Sequence, residues 1–252
     1  MSKGLKNTVA IICSICLLTL CAIALKFTGA YTVYTFATNK RDLPIYSVDC
    51  KEQKLSISFD CAWGTEYTDK ILDTLDFYGV KCTFFMTEFW VDKNPDYVKK
   101  ISDRGHEIGT HSRTHPYMSK MSKEEIESEL TTSSSAIEKI TGKKVELFRP
   151  PYGDYDDLLV STARELGLYT IQWSVDSLDW KDLSADQIAS RILKRAKAGS
   201  IILCHNNGLH TADSLPLIFS ALQEKGFVFE PIGALIYKEN YTVDHSGVQI
   251  KT

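Results

Sequence analysis

Several short stretches of this chain set metal-ligating and acid–base side chains at usable spacings. Glu107 to Pro116 reads EIGTHSRTHP. His111 and His115 stand four apart, so one helical turn brings both imidazoles to one side, an arrangement that suits a divalent metal. Two loop histidines bonded to backbone groups share that spacing, so the pair decides nothing alone. Ser56 to Cys61 reads SISFDC and delivers Asp60 to the end of an alternating run. A carboxylate at the tip of a buried strand is costly to desolvate unless it is paired or used. Ile201 to Asn206 reads IILCHN and ends an apolar run on His205; a lone histidine there is as a rule structural. Phe148 to Asp154 reads FRPPYGD. Its prolines fix φ and remove donors, so that the remaining ones, such as the Tyr152 N–H, can be aimed at a ligand; alone the stretch reads as a rigid turn with a surface Arg149. Val175 to Trp180 reads VDSLDW and carries Asp176 and Trp180, which singly read as an Asp-capped turn.

The elements around these residues explain why they belong together. Strand-like runs (Leu55 to Phe59, Val80 to Met86, Glu107 to Gly109, Leu147 to Phe148, Tyr169 to Val175, Ser200 to Cys204, Phe227 to Glu230) alternate with helical patterns that stop at Gly79, Gly105, Gly167, Gly199 and Gly226. Ser122 with Glu125 makes a capping box for a helix reaching about Thr141. Strand and helix in alternation imply parallel βα units. Seven or eight strands over this length predict a barrel rather than an open sheet. Asp60, His111, Arg149, Asp176 and His205 all fall at or just after a strand's C-terminal end, where barrels build their sites.

The 252 residues, net charge of −3 and 44% hydrophobic content suit one sizeable α/β domain. Near-neutral charge without a long basic block argues against nucleic acid as a partner. Thr8 to Leu25 is uncharged, preceded by Lys3 and Lys6 and followed by Lys26. This reads as a single membrane-spanning helix with a cytoplasmic N-terminus, and the domain outside the cytoplasm. A cleaved signal peptide, cut near Ala22-Ile23-Ala24, with secretion, is the alternative. The expected organisation is a stub and anchor over 1–29, a linker and first strand over 30–52, the α/β domain over 53–240 and a tail over 241–252. Of seven cysteines, Cys13, Cys16 and Cys21 lie in the apolar run; Cys50, Cys61, Cys82 and Cys204 lie beyond it and read as thiols rather than disulfides.

The order S-F-D, H-S-x-x-H-P, R-P-P-Y-G, D-S-x-D-W and I-L-x-H, spread from Leu55 to about Ile232, resembles the NodB-type polysaccharide deacetylases, carbohydrate esterase family four. The F-D-x-x-W-G form with a short N-terminal anchor is most similar to the sporulation-associated, PdaB-like branch. The resemblance implies a distorted (β/α) barrel and hydrolysis of N-acetyl groups on a cell-wall glycan such as peptidoglycan. It makes Asp60 the general base, Arg149 its partner, His205 the general acid and Asp176 the carboxylate that orients it. It makes His111 and His115 metal ligands. Tyr152 becomes an oxyanion donor through its backbone N–H, and Trp180 a pocket aromatic.

One position departs from the pattern. The family form T-F-D-D-G supplies a second Asp to the metal, and this chain has Cys61 there. Three readings stand: a Cys61 thiolate binds Zn²⁺ with the histidines, the histidines hold a metal weakly with waters, or no metal binds. Two functions follow, a metal-dependent deacetylase or a glycan-binding homologue without a complete metal site.

Overall fold

The protein is described by a computed structural model over residues 41–252. The anchor expected in the N-terminal run, with Cys13, Cys16 and Cys21, lies outside the described residues. Among the described residues no helix is long and apolar enough to cross a membrane.

Side-chain alternation fixes the two faces of the central strand. After β1 (Ser47–Val48), β2 spans Lys54–Cys61. Leu55, Ile57, Phe59 and Cys61 pack with the apolar faces of the outer helices, whereas Ser56, Ser58 and Asp60 point to the other side of the sheet. The neighbouring strand repeats the pattern, with Phe84 in the helix-side core and Phe85 in the smaller inner core with Ile45, Leu147, Ile171 and Ile201.

The chain continues through α1 (Thr68–Phe77), β3 (Thr83–Met86), α2 (Glu88–Lys93), α3 (Pro95–Asp103), β4 (Glu107–Thr110) and α4 (Lys123–Thr141). Then come β5 (Leu147–Phe148), α5 (Asp157–Glu165), β6 (Tyr169–Thr170), β7 (Val175–Asp176), α6 (Ala185–Leu193) and β8 (Ile201–His205). It closes with α7 (Thr211–Glu224), β9 (Val228–Phe229), α8 (Ile232–Leu235), β10 (Tyr241–Val243) and β11 (Val248–Lys251). The capping box of α4 forms as expected, with the Ser122 hydroxyl accepting from the Glu125 N–H and the Glu125 carboxylate from the Ser122 N–H.

The main sheet runs β6-β5-β4-β3-β2-β8-β7, all parallel, with β9 beside β2. It is a curled parallel sheet clothed in helices, the half-barrel counterpart of the expected barrel. Register sets Asp60 beside Phe85 on one strand and His205 on the other.

Two expectations change. The single strand expected over Tyr169 to Val175 is two strands, β6 and β7, which do not pair with each other. Ile45 sits at this gap: its N–H donates to the Thr170 carbonyl, and its own carbonyl accepts from the Gln172 N–H. Residues 241–252, expected as a tail, form the β10–β11 hairpin, and β11 pairs with β1 in a separate three-stranded sheet.

Candidate functional site

Asp60, His111, His115, Tyr152, Asp176, Trp180 and His205 line one cavity of about 650 Å³ at the C-terminal ends of the strands. Sequence positions spread over more than half the chain therefore meet on one sheet face. Arg149 lies beneath it, fully buried, and Cys61 is not part of the lining.

Arg149 Nη1 donates to Asp60 Oδ1 at 2.8 Å, and Nη2 donates to the Gln172 carbonyl at 3.3 Å. The guanidinium lies 4.2 Å from the centre of the Phe85 ring, a cation–π seat. Gly109 keeps that seat open, since a Cβ there would stand 2.7 Å from the Phe85 ring and 2.9 Å from the Leu147 carbonyl. Burial pushes the Asp60 pKa up, but the charge of Arg149, with smaller contributions from the neighbouring imidazoles, outweighs it, and the carboxyl is held below its ordinary value.

His111 Nδ1 donates to the Arg149 carbonyl at 2.7 Å. That bond fixes the tautomer, so Nε2 presents its lone pair towards Asp60 Oδ2, 3.6 Å away. His115 is brought beside it, ring centres 4.9 Å apart, by a loop with φ of 70° at Ser112 and 59° at His115. The Ser112 hydroxyl accepts from the His115 N–H at 3.0 Å, and His115 Nδ1 is buried without a partner. Burial lowers the pKa of His111 and takes that of His115 down to about 4, which keeps both imidazoles neutral as metal ligands must be.

The two imidazoles fit a divalent metal; Cys61 does not complete the set. It shares the helix-facing side of β2 with Leu55, Ile57 and Phe59, its Sγ lies 3.9 Å from the Phe59 carbonyl, and burial pushes its thiol pKa well up. Period-two alternation sends adjacent residues Asp60 and Cys61 to opposite faces. Among the described residues no cluster of three or more His, Cys, Asp or Glu side chains could hold a metal. Cys82 and Cys204 are likewise buried free thiols, and Cys50 is a half-buried one.

Asp176 is not the carboxylate that holds His205. Its Oδ1 accepts from the Leu178 N–H at 2.8 Å in a local turn, and it stands at the cavity wall. The partner is Asp179, whose Oδ1 accepts from His205 Nδ1 at 2.7 Å. Asp179 Oδ2 accepts from the His205 N–H at 2.7 Å and the Thr211 hydroxyl at 2.6 Å. Left-handed φ of 55° at Leu178 and 53° at Asp182 fold this turn under β8. Gly208 gives it room, since a Cβ would fall 2.2 Å from Thr211 Oγ1. Burial lowers the His205 pKa, but the hydrogen bond and charge of Asp179 outweigh it, and the imidazole is held above its ordinary value.

Trp180 is 56% exposed at the cavity wall, and Tyr152, with φ of 59°, is equally exposed on the turn opposite Gln172. Trp63, Trp173, Glu129 and Gln172 were not foreseen. Trp63 packs edge-on to His115 at 5.2 Å, and the Tyr152 ring does so at 4.5 Å. Trp63 follows Asp60 by three residues, so its place just past the strand end was readable as a rim position.

This geometry has known counterparts. The family model described as Polysaccharide deacetylase matches residues 47–171. The Bacillus subtilis protein YlxY, itself uncharacterized, is 34% identical over 77% of this chain, which spans 60% of YlxY. The wild-type BA3943 protein of Bacillus anthracis, described as a CE4 family pseudoenzyme, superposes with a TM-score of 0.75 at 34% identity, covering 77% of this chain and 69% of that one. A peptidoglycan-N-acetylglucosamine deacetylase of Bacillus cereus is 35% identical over 76% of this chain and 92% of its own length. Family deacetylases depend in general on a metal. With these matches, the chain belongs to the polysaccharide deacetylase family, hydrolases that act on the C–N bond of N-acetyl groups.

Proposed function

We propose that this protein removes N-acetyl groups from cell-wall glycan, the N-acetylglucosamine or N-acetylmuramic acid of peptidoglycan. One observation carries the reading: Asp60 and His205 line the same cavity, and each is locked by a buried partner of opposite charge, Arg149 and Asp179. Binding a sugar requires neither lock, whereas an amide hydrolysis needs both a base and an acid.

In this reading Asp60, kept ionised by Arg149, takes a proton from a water whose oxygen attacks the acetyl carbonyl. The Tyr152 N–H donates to the oxyanion that develops. Protonated His205 gives its proton to the sugar nitrogen as the C–N bond breaks, leaving acetate and a free amine. A divalent ion held at His111 and His115, Zn²⁺ in this proposal, would supply Lewis-acid polarisation of the carbonyl. Trp180 and Trp63 would pack on sugar faces. The uncharged run from Thr8 to Leu25 supports a single-pass anchor with the domain outside the cytoplasm, and the F-D-x-x-W-G form supports a role in spore formation.

A second reading, a glycan-binding protein with little or no turnover, is favoured by the position of Cys61 among the helix-side core residues. Acetate release from N-acetylated peptidoglycan by the full chain separates the two. It is run with added Zn²⁺, with a chelator and with Asp60→Asn. Zinc-dependent release that vanishes in Asp60→Asn supports the deacetylase. Retained glycan binding with no release under any condition establishes the second reading.

A further inference from the structure

Gln172 sits between β6 and β7, only 2% exposed, and its polar groups reach three separate parts of the molecule. Its N–H donates to the Ile45 carbonyl at 2.8 Å. Its carbonyl accepts from Arg149 Nη2 at 3.3 Å. Its side-chain Nε2 donates to the Gly153 carbonyl at 3.1 Å.

Both ends of this bridge need support. Arg149 Nε is buried without a partner, so the guanidinium is held in place by its Asp60 and Gln172 bonds and by the Phe85 ring. On the other side, Tyr152 occupies the left-handed region at φ 59°, and Gly153 follows at φ 69°. A non-glycine residue stays in that region only where its surroundings over-determine it. The turn rests directly on the bridge: a Cβ on Gly153 would come 3.0 Å from the Trp173 ring and 3.3 Å from Gln172 Oε1.

We propose that Gln172 is a positioning residue for deacetylation, holding Arg149 against Asp60 through its carbonyl and the Tyr152 turn through its side chain. Its N–H ties both to the Ile45 segment that fills the gap between β6 and β7. The proposal rests on the deacetylase reading for its effect on rate, and on the hydrogen bonds alone for its effect on the turn. The two contacts are separable by substitution, because only the Gly153 contact uses the side chain.

Gln172→Met keeps the length and removes the donor. Kinetics of acetate release by the full chain are measured across pH, together with the backbone amide signals of Tyr152 and Gly153 by NMR. The expected result is a kcat lower by on the order of tenfold to a hundredfold with KM within about twofold. The acid limb stays where it is in the wild type, because the main-chain carbonyl still holds Arg149. Gln172→Glu, which also serves if the Met variant fails to fold, regains rate at low pH, where the protonated carboxyl can donate to Gly153, and loses it as pH rises. A wild-type kcat in Gln172→Met overturns the proposal. If the wild-type protein releases no acetate, the deacetylase reading fails and the amide signals decide for Gln172. Shifts confined to the Tyr152 turn support it, and unmoved signals overturn it.

Discussion

Asp179 Oδ1 accepts from His205 Nδ1 at 2.7 Å, while its other oxygen accepts from the His205 N–H and the Thr211 hydroxyl. The carboxylate is fully satisfied and fully buried, so it cannot rotate away from the imidazole. Burial opposes the charge on His205, and Asp179 outweighs burial. The alkaline limb of activity should therefore lie above the ordinary histidine value of about 6.5. Asp179→Asn leaves only the weaker influence of Asp60 and Asp176 to oppose burial and should move that limb clearly to lower pH, whereas Asp176→Asn should move it much less. A raised folded pKa also stabilises the fold, fully below about pH 6.5 and not once pH has risen through the folded value. Asp179→Asn should thus cost more melting temperature at pH 6 than at pH 9. A limb that stays put in Asp179→Asn but moves in Asp176→Asn would restore the sequence-based assignment.

Asp60 behaves in the opposite sense. Burial raises its pKa, but Arg149 and the nearby imidazoles bring the net value below the ordinary one. Its contribution to stability is present above about pH 4 and is lost as pH falls through the folded value. The acid limb of kcat/KM should accordingly lie below about pH 4. Arg149→Met removes the guanidinium that pairs with this carboxylate and leaves a buried charge unpaired. It should raise the acid limb and destabilise the fold by roughly 3–5 kcal/mol in denaturant titrations at pH 7. A stability change under about 1 kcal/mol would show that the pair is not buried in solution.

Cys61 lies in the helix-side core, so Cys61→Asp should place a carboxylate among buried apolar residues rather than beside His111. An unpaired buried charge predicts a loss of roughly 3 kcal/mol or more, with no gain in zinc affinity by calorimetry. Tighter zinc binding with an unchanged melting temperature would mean that the end of β2 turns this side chain into the cavity.

Much of this arrangement was legible because it follows from period and punctuation. The alternation of Leu55, Ile57 and Phe59 put Asp60 on the inner face, and glycine stops separated the βα units that bring His111, Arg149 and His205 to one edge. The same alternation, carried one residue further, places Cys61 on the opposite face from Asp60. In D-S-L-D-W two aspartates lie three apart, and only the left-handed turn at Leu178 decides which one passes under β8. Tyr169 to Val175 reads as one strand because nothing local reveals that Ile45, more than a hundred residues earlier, fills a gap there. Glu129 and Gln172 are invisible for the same reason: their partners are long-range backbone groups, which leave no spacing in the sequence.

Glu129 offers the last test. It stands on α4, 7% exposed, and holds the loop that joins the two histidines. Its Oε2 accepts from the Arg113 and Thr114 N–H groups, each at 2.8 Å, and Oε1 accepts from the Thr114 hydroxyl at 2.7 Å. Bonds to a charged acceptor are the stronger kind, and this carboxylate offsets two loop donors that point inward. Without it the left-handed conformations at Ser112 and His115 lose an anchor between them. Glu129→Ala should cost on the order of 2–4 kcal/mol and speed amide exchange at Arg113 and Thr114 well beyond the change at distant sites. Zinc affinity should fall with it, since His115 would no longer be held beside His111. Exchange at Arg113 and Thr114 that matches the wild type would remove Glu129 from the support of the histidine pair.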